Sequence, residues 1–258
     1  MELQELADDL LTTEGRFDTP FGVYLIDARE PASDLARRVE RDVFLEFFGN
    51  TDEMLDLEYV PYESASLFLC VVDHQRRTPA GMIRVIRPSP AGFKTLHDLD
   101  AIWGVATNDL VRPAPAGGLG LDPSSLWDIA TLAVAQEYRS AATSGLVSMA
   151  LYQAVNMLGH AQGIRWAVAV MDVVVLDLVN SAWQRPFAGI PGADPRRYLD
   201  SPASRPVYCD VVDYRMRLGF LDPPTHAILF EGRGLESMVS TPRWESGPEV
   251  ATGIAGVG

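Results

Sequence analysis

Residues 126–171, LWDIATLAVAQEYRSAATSGLVSMALYQAVNMLGHAQGIRWAVAVM, decide the fold. Ile129–Val134 is a short apolar run containing β-branched residues, the pattern of a buried strand. Ala135–Gly145 is small and polar. From Leu146 the apolar positions Val147, Ala150, Leu151, Ala154, Val155 and Leu158 follow helical spacing, Gly163 breaks that helix, and Trp166–Met171 is a second apolar strand. A strand that feeds a helix through a loop of small residues turns backbone N–H groups toward whatever sits over the helix N-terminus. Unpaired donors and the positive end of the helix dipole favour a phosphate there.

The segment LAVAQEYRSAATSGLVSMAL resembles the acyl-CoA-binding motif of GCN5-related N-acyltransferases (GNATs), in which a strand, a Tyr-Arg-Gly signature and alternating glycines lead into a long helix. Leu132, Ala133, Val134, Tyr138, Arg139 and the helix after Gly145 match, while Ser140, Ala142 and Ser144 stand where that family has glycine. The resemblance implies acetyl-CoA or another acyl-CoA as donor. The strand backbone at Leu132, Ala133 and Val134 would hold the pantetheine arm. Arg139, Ser140, Ala141, Ala142, Thr143, Ser144 and Gly145 would hold the pyrophosphate.

The whole chain bounds the reading. At 258 residues, 47% hydrophobic and 22% charged, it has the composition of an ordinary globular protein. Its net charge of −14 argues against nucleic acid and anionic membrane surfaces as partners and is compatible with a cationic substrate such as an amine. Cys70 and Cys209 are isolated in apolar stretches and read as buried free thiols. The start, MELQELADDLL, has no basic n-region, and no apolar run reaches the ~18 residues of a membrane span. A cytoplasmic protein is therefore expected.

In chain order, residues 1–18 read as an acidic extension forming a short helix or a frayed tail. Phe21–Ile26 is a strand and Asp34–Phe48 an amphipathic helix, with Leu35, Val39, Val43, Phe44 and Phe47 on its apolar face and Gly49-Asn50 as its stop. Ala65–Val72 and Pro79–Ile86 form a hairpin. Residues 88–125 are rich in Pro and Gly, with one short helix around Thr95–Val105. Val173–Trp183 is a helix, Ile190–Pro206 a loop, Val207–Leu218 begins as a strand, and His226–Glu231 is a further strand candidate. Residues 241–258 lack an apolar period and read as a poorly ordered tail, leaving 19–240 as the domain. The fold class is α/β (α+β): a mixed, mostly antiparallel sheet with one parallel crossover, flanked by helices. That suits the GNAT fold and not a dinucleotide-binding one.

The N-terminal half narrows the resemblance. ERDVF, EYVPYE, PAGMIRVIRP and LWDIATLAV follow one another as blocks do in acyl-homoserine-lactone synthases. Arg41, Val43, Phe44, Gly81, Arg84 and Pro88 fit those blocks. Glu58 and Glu63 stand for an Asp pair, Asp128 for a Glu, and Thr131 for an Arg. An acyl-CoA N-acyltransferase is the expected function. The alternatives are a signal-synthase-like enzyme with an acyl carrier protein donor, or a non-catalytic binding module.

Direct transfer needs a base for the amine and donors for the oxyanion. Asp128, on the central strand six residues from Val134 and so on its face at even spacing, is the first catalytic candidate. Its bland alternative is a hydrogen bond to the preceding loop. Glu58, beside Tyr59 and Tyr62, is the second, against a role as a packed lid. Val173–Trp183 has no tyrosine to serve as general acid, and Tyr198, Tyr208 and Tyr214 come later. Arg84 reads as the partner of an acid on the sheet. The four histidines are scattered without metal-ligand spacing, so no metal is expected. The expected partner is a small-molecule amine, and a homodimer is compatible with the resemblance.

Overall fold

A computed structural model describes residues 3–14, 18–111, 119–139 and 145–244. The loop positions Ser140–Ser144 and the tail beyond 244 lie outside the described residues. The helices are α1 (Leu3–Glu14), α2 (Ser33–Phe48), α3 (Asp52–Tyr59), α4 (Lys94–Ala101), α5 (Leu146–Ala161), α6 (Val173–Ala182), α7 (Val211–Leu221) and α8 (Pro223–Glu231). The strands are β1 (Phe21–Asp27), β2 (Ser66–Asp73), β3 (Thr78–Ile86), β4 (Leu126–Val134), β5 (Trp166–Asp172), β6 (Ala188–Gly189), β7 (Arg196–Tyr198), β8 (Ser201–Asp210) and β9 (Val239–Ser240).

They form one mixed sheet in the order β6-β8-β5-β4-β3-β2-β1-β9, with β7 paired to β8. β4–β5 and the short β1–β9 contact are parallel; the other pairs are antiparallel. This is the arrangement expected from the sequence, with β4-α5-β5 as its parallel crossover.

Strand alternation divides the core into two layers. Phe68, Cys70 and Val72 pack with Leu35 and Val39 of α2 and with Leu6 and Leu11 of α1. Leu69 and Val71 face the other way, onto Val147, Ala150, Leu151 and Ala154 of α5. Gly81 lets β3 approach α5, since a Cβ there would stand 2.6 Å from Val147 Cγ1. Both cysteines are free and buried. No helix among the described residues is long and apolar enough to cross a membrane.

Several sequence expectations are corrected. His226–Glu231 is not a strand but the body of α8. Asp222 accepts from the Thr225 amide at 3.2 Å, Pro223 and Pro224 fill the first turn, and Leu229 and Phe230 are buried. Ile190–Pro206 is not all loop, because it contains β7 and the first half of β8. Their two-residue turn is built from Leu199 (φ 43°) and Asp200 (φ 62°), left-handed residues without the glycine that signals such a turn. Phe47 is 59% exposed and lies off the buried face of α2. At the other end, Trp244 packs on the α5 layer and Thr241 donates to Gln153 at 2.9 Å, so the tail begins anchored.

Candidate active site

The central feature is a parting of β4 from β5. The two strands pair only from Leu126–Asp128 to Trp166–Val168. Beyond that point β4 stays with β3 as far as Val134, and β5 stays with β8 as far as Asp172. The parting coincides with a bulge in β4: Arg84 faces Thr131 and Val85 faces Ile129, leaving Ala130 without a partner in β3. Ala130 also lies past the end of the β5 ladder. The gap opens a cavity of about 260 Å³. On the α5–α6–α7 side its wall is apolar, including Ile129, Val155, Val179, Trp183 and Phe187. On the α2–α4 side it is polar, with Asn50, Lys94, Thr95, Asp128 and Thr131.

The bulge corrects one expectation. Because Ala130 is an extra residue, the alternation of β4 changes phase there. Leu132 and Val134 pack toward α5, whereas Asp128, six residues from Val134, faces α4. Asp128 is fully buried. Its Oδ2 accepts from the Thr95 amide at 2.6 Å and its Oδ1 from the Thr95 hydroxyl at 2.8 Å, so it caps the first turn of α4 from outside the helix. Burial pushes its carboxyl up to about 6, against the lowering effect of the Thr95 bonds and of Lys94 nearby. The loop-bonding alternative and the base candidate thus coincide in one side chain: a structural cap whose burial brings it into the range of a general base.

Glu58 is bound to Lys94 Nζ at 2.6 Å and is not on the cavity wall. The Lys94 ammonium also donates to Asp98 at 2.6 Å and to the Tyr198 oxygen at 2.5 Å. Of the three late tyrosines, Tyr198 and Tyr214 reach the cavity wall, as does Tyr152 of α5; Tyr208 does not. Tyr214 donates to the Trp183 carbonyl at 3.0 Å, and burial raises its phenol above the usual range.

Arg84 pairs with acids on neighbouring helical segments rather than with one on the sheet. It meets both oxygens of Glu40 in α2, at 3.0 and 2.6 Å, and Glu63 in the turn after α3 at 2.9 Å. Its guanidinium lies between the rings of Tyr59 and Phe68, at 4.6 and 4.7 Å. Thr131 also donates to Glu40, which explains how a threonine is accommodated opposite this arginine. Tyr59, over Arg84, directs its hydroxyl toward the Ala130 carbonyl at 3.5 Å, and burial raises its phenol well above the usual range.

On the expected CoA side, Leu132 and Val134 are half-buried and Ala133 is buried against the α2 layer; of the three, Leu132 lines the cavity and Ala133 and Val134 do not. Arg139 donates to the Val134 carbonyl at 2.7 Å, pairs with Glu46 at 2.9 Å and covers the Phe47 ring at 4.6 Å. Gly145 starts α5 with φ +72°. Lys94, Asp98 and Asp172 went unnoticed in the sequence; Asn50 reads there only as part of a helix stop, and Glu40, which the spacing places among the charges on a solvated face of α2, is buried. Only Lys94–Asp98, an i,i+4 pair, carried a local signal.

No model of a known protein family matches the chain, and no curated protein does. Solved structures do. FeeM, an N-acyl amino acid synthase from uncultured soil microbes, aligns over 76% of this chain and 93% of its own, with a TM-score of 0.56 at 16% identity. BjaI, a CoA-dependent acyl-homoserine lactone synthase solved with SAM and isopentyl-CoA, aligns over 86% of this chain and 93% of its own, with a TM-score of 0.52 at 15% identity. At such identities the likeness concerns architecture alone. The chain has the GCN5-related N-acyltransferase fold, in the form shared with FeeM and BjaI.

Proposed function

We propose that the protein is an acyl-CoA-dependent N-acyltransferase that moves an acyl group from a CoA thioester directly to an amine. The observation that carries this reading is the β4–β5 gap opening onto a cavity with one apolar and one polar side. The thioester enters the gap, its acyl chain lies along the α5–α6–α7 wall, and the amine approaches from the Asp128 side. The neutral amine attacks the thioester carbonyl, forming the C–N bond and placing the electron pair on oxygen. Collapse of this intermediate re-forms the carbonyl and expels the CoA thiolate. Ala130, which has no partner in either strand ladder, supplies the backbone amide assigned to the oxyanion. Asp128, with its carboxyl pushed up to about 6, is ionised at neutral pH and takes the amine proton.

An acyl group longer than acetyl is favoured, because the apolar wall extends to Trp183 and Phe187. The acidic chain, at −14, opposes docking of an acidic carrier protein and favours the CoA donor. A second reading, a non-catalytic binding module, draws on the commitment of Arg139 to Glu46 and to the Val134 carbonyl, which leaves pantetheine one fewer backbone partner. Thiol release from decanoyl-CoA, measured with and without a panel of primary amines, separates the two. Amine-dependent CoA release with formation of the amide supports the enzyme. Saturable binding of acyl-CoA without release under any amine supports the module.

A further inference from the structure

Asn50, a residue of the cavity wall, carries a buried polar atom without a partner among the described residues. Asn50 is 1% exposed, and its Oδ1 accepts no hydrogen bond among the described residues. The orientation of the amide is fixed by its other end, where Nδ2 donates to the Leu199 carbonyl at 3.2 Å. The backbone is fixed as well. Gly49 closes α2 in the left-handed conformation, and the Asn50 amide donates back to the Phe44 carbonyl at 3.2 Å. Leu199, which holds Asn50, is itself fixed in the left-handed turn between β7 and β8. A buried acceptor held this firmly requires a donor.

The surrounding charges restrict what that donor belongs to. The charged residues on the described wall are Lys94, Asp128 and Asp172. Lys94 is ion-paired with Glu58 and donates to Asp98 and Tyr198. Asp172 caps α6 through the Val174 amide at 2.8 Å and accepts from Ser201 at 2.7 Å, keeping lone pairs for a further donor. The polar wall therefore offers acceptors to an ammonium but no uncommitted cation to a carboxylate. Arg84, the other buried cation near the gap, is held by Glu40 and Glu63.

We propose that Asn50 Oδ1 binds the amine nitrogen of the acceptor, and that the acceptor is an amine with no carboxylate on the amine-bearing carbon. The proposal rests on the acyltransferase reading for its chemistry but not for the binding itself. An amino acid brings a carboxylate that would be desolvated beside Asp128 and Asp172 without a counter-ion, whereas its decarboxylated analogue brings only the matched donor.

The test uses pairs of compounds that differ only in that carboxylate: pentylamine against norleucine, and tyramine against tyrosine. Binding to the wild-type protein is read by calorimetry, and transfer by CoA release from decanoyl-CoA. The expected result is binding of each amine at least tenfold tighter than its amino acid, with the same order in kcat/KM. Equal or tighter binding of the amino acids, or no binding of any amine, overturns the proposal. Amine binding without transfer upholds the subsite and removes the acyltransferase reading; transfer to amino acids does the reverse. Asn50→Leu should weaken amine binding about tenfold, the loss of one hydrogen bond to a charged group, while leaving the affinity for decanoyl-CoA unchanged. Unchanged amine affinity in that variant also overturns the proposal, and if it does not fold, the wild-type pairs still decide.

Discussion

Replacing Asp128 by Asn should make the protein more stable at alkaline pH and far less active. The carboxyl is fully buried and rises from 3.8 to about 6 on folding, chiefly through desolvation. A rise of that size corresponds to about 3 kcal/mol of differential interaction between protonation states. The sign follows from linkage: with the folded value above the unfolded one, this group's contribution is most favourable below pH 3.8, declines as pH rises toward 6, and is a full penalty above it. Asn carries no charge to desolvate, can turn its one oxygen to the Thr95 amide in place of Oδ2, and can donate to the Thr95 hydroxyl through its NH2 group. Urea denaturation at pH 8 should therefore show a gain of up to about 3 kcal/mol, reduced by any imperfect geometry at Thr95, and the gain should shrink toward zero near pH 4. Activity should move the other way, with kcat/KM falling by about 10²-fold or more and the acid limb near pH 6 disappearing. An Asn variant that is less stable than wild type at pH 8 would refute the desolvation argument. One with full activity would remove Asp128 from the chemistry and leave it as the cap of α4.

Other perturbations probe neighbouring parts of the site. Arg84→Ala leaves Glu40, whose side chain is 2% exposed, without its cation and should cost about 3–5 kcal/mol in urea denaturation; a loss under 1 kcal/mol would mean that water reaches Glu40. Ala169→Phe, on the cavity wall, should shift donor preference toward shorter acyl chains in competition assays, and an unchanged profile would place the chain elsewhere. Arg139→Ala should change stability by less than about 1 kcal/mol, since its ion pair with Glu46 is partly exposed. If Arg139 contacts the CoA pyrophosphate as the family resemblance implies, the same variant should weaken CoA binding at least tenfold, measured by calorimetry.

Most of the fold was legible because the core strands and α2, α5 and α6 bury one side of a regular period, and periodicity is what a sequence displays. What escaped notice was non-local. The face of Asp128 depends on one extra residue, Ala130, which is defined only by its pairing with β3. The role of Asn50 depends on Leu199, 149 positions away. The β7–β8 turn hid because Leu199 and Asp200 do the work usually given to Asn-Gly. α8 was missed although Asp222-Pro223-Pro224 is a legible helix start, because the apolar Ala227–Phe230 run reads equally well as a strand when taken alone. Among the candidate site residues, the structure brings Asp128 to the cavity, sets Glu58 behind Lys94, and turns Arg139 onto Val134 and Glu46.

The central claim is that the β4–β5 gap receives an acyl thioester with its chain on the apolar wall. Calorimetric titration of the wild-type protein with acetyl-, hexanoyl- and decanoyl-CoA tests it most directly. Each methylene buried on that wall should add about 0.8 kcal/mol, roughly fourfold in affinity, until the cavity is filled. Saturable binding that strengthens with chain length and then levels off is the predicted result. Chain-independent affinity, or no saturable binding to any of the three thioesters, would contradict the account.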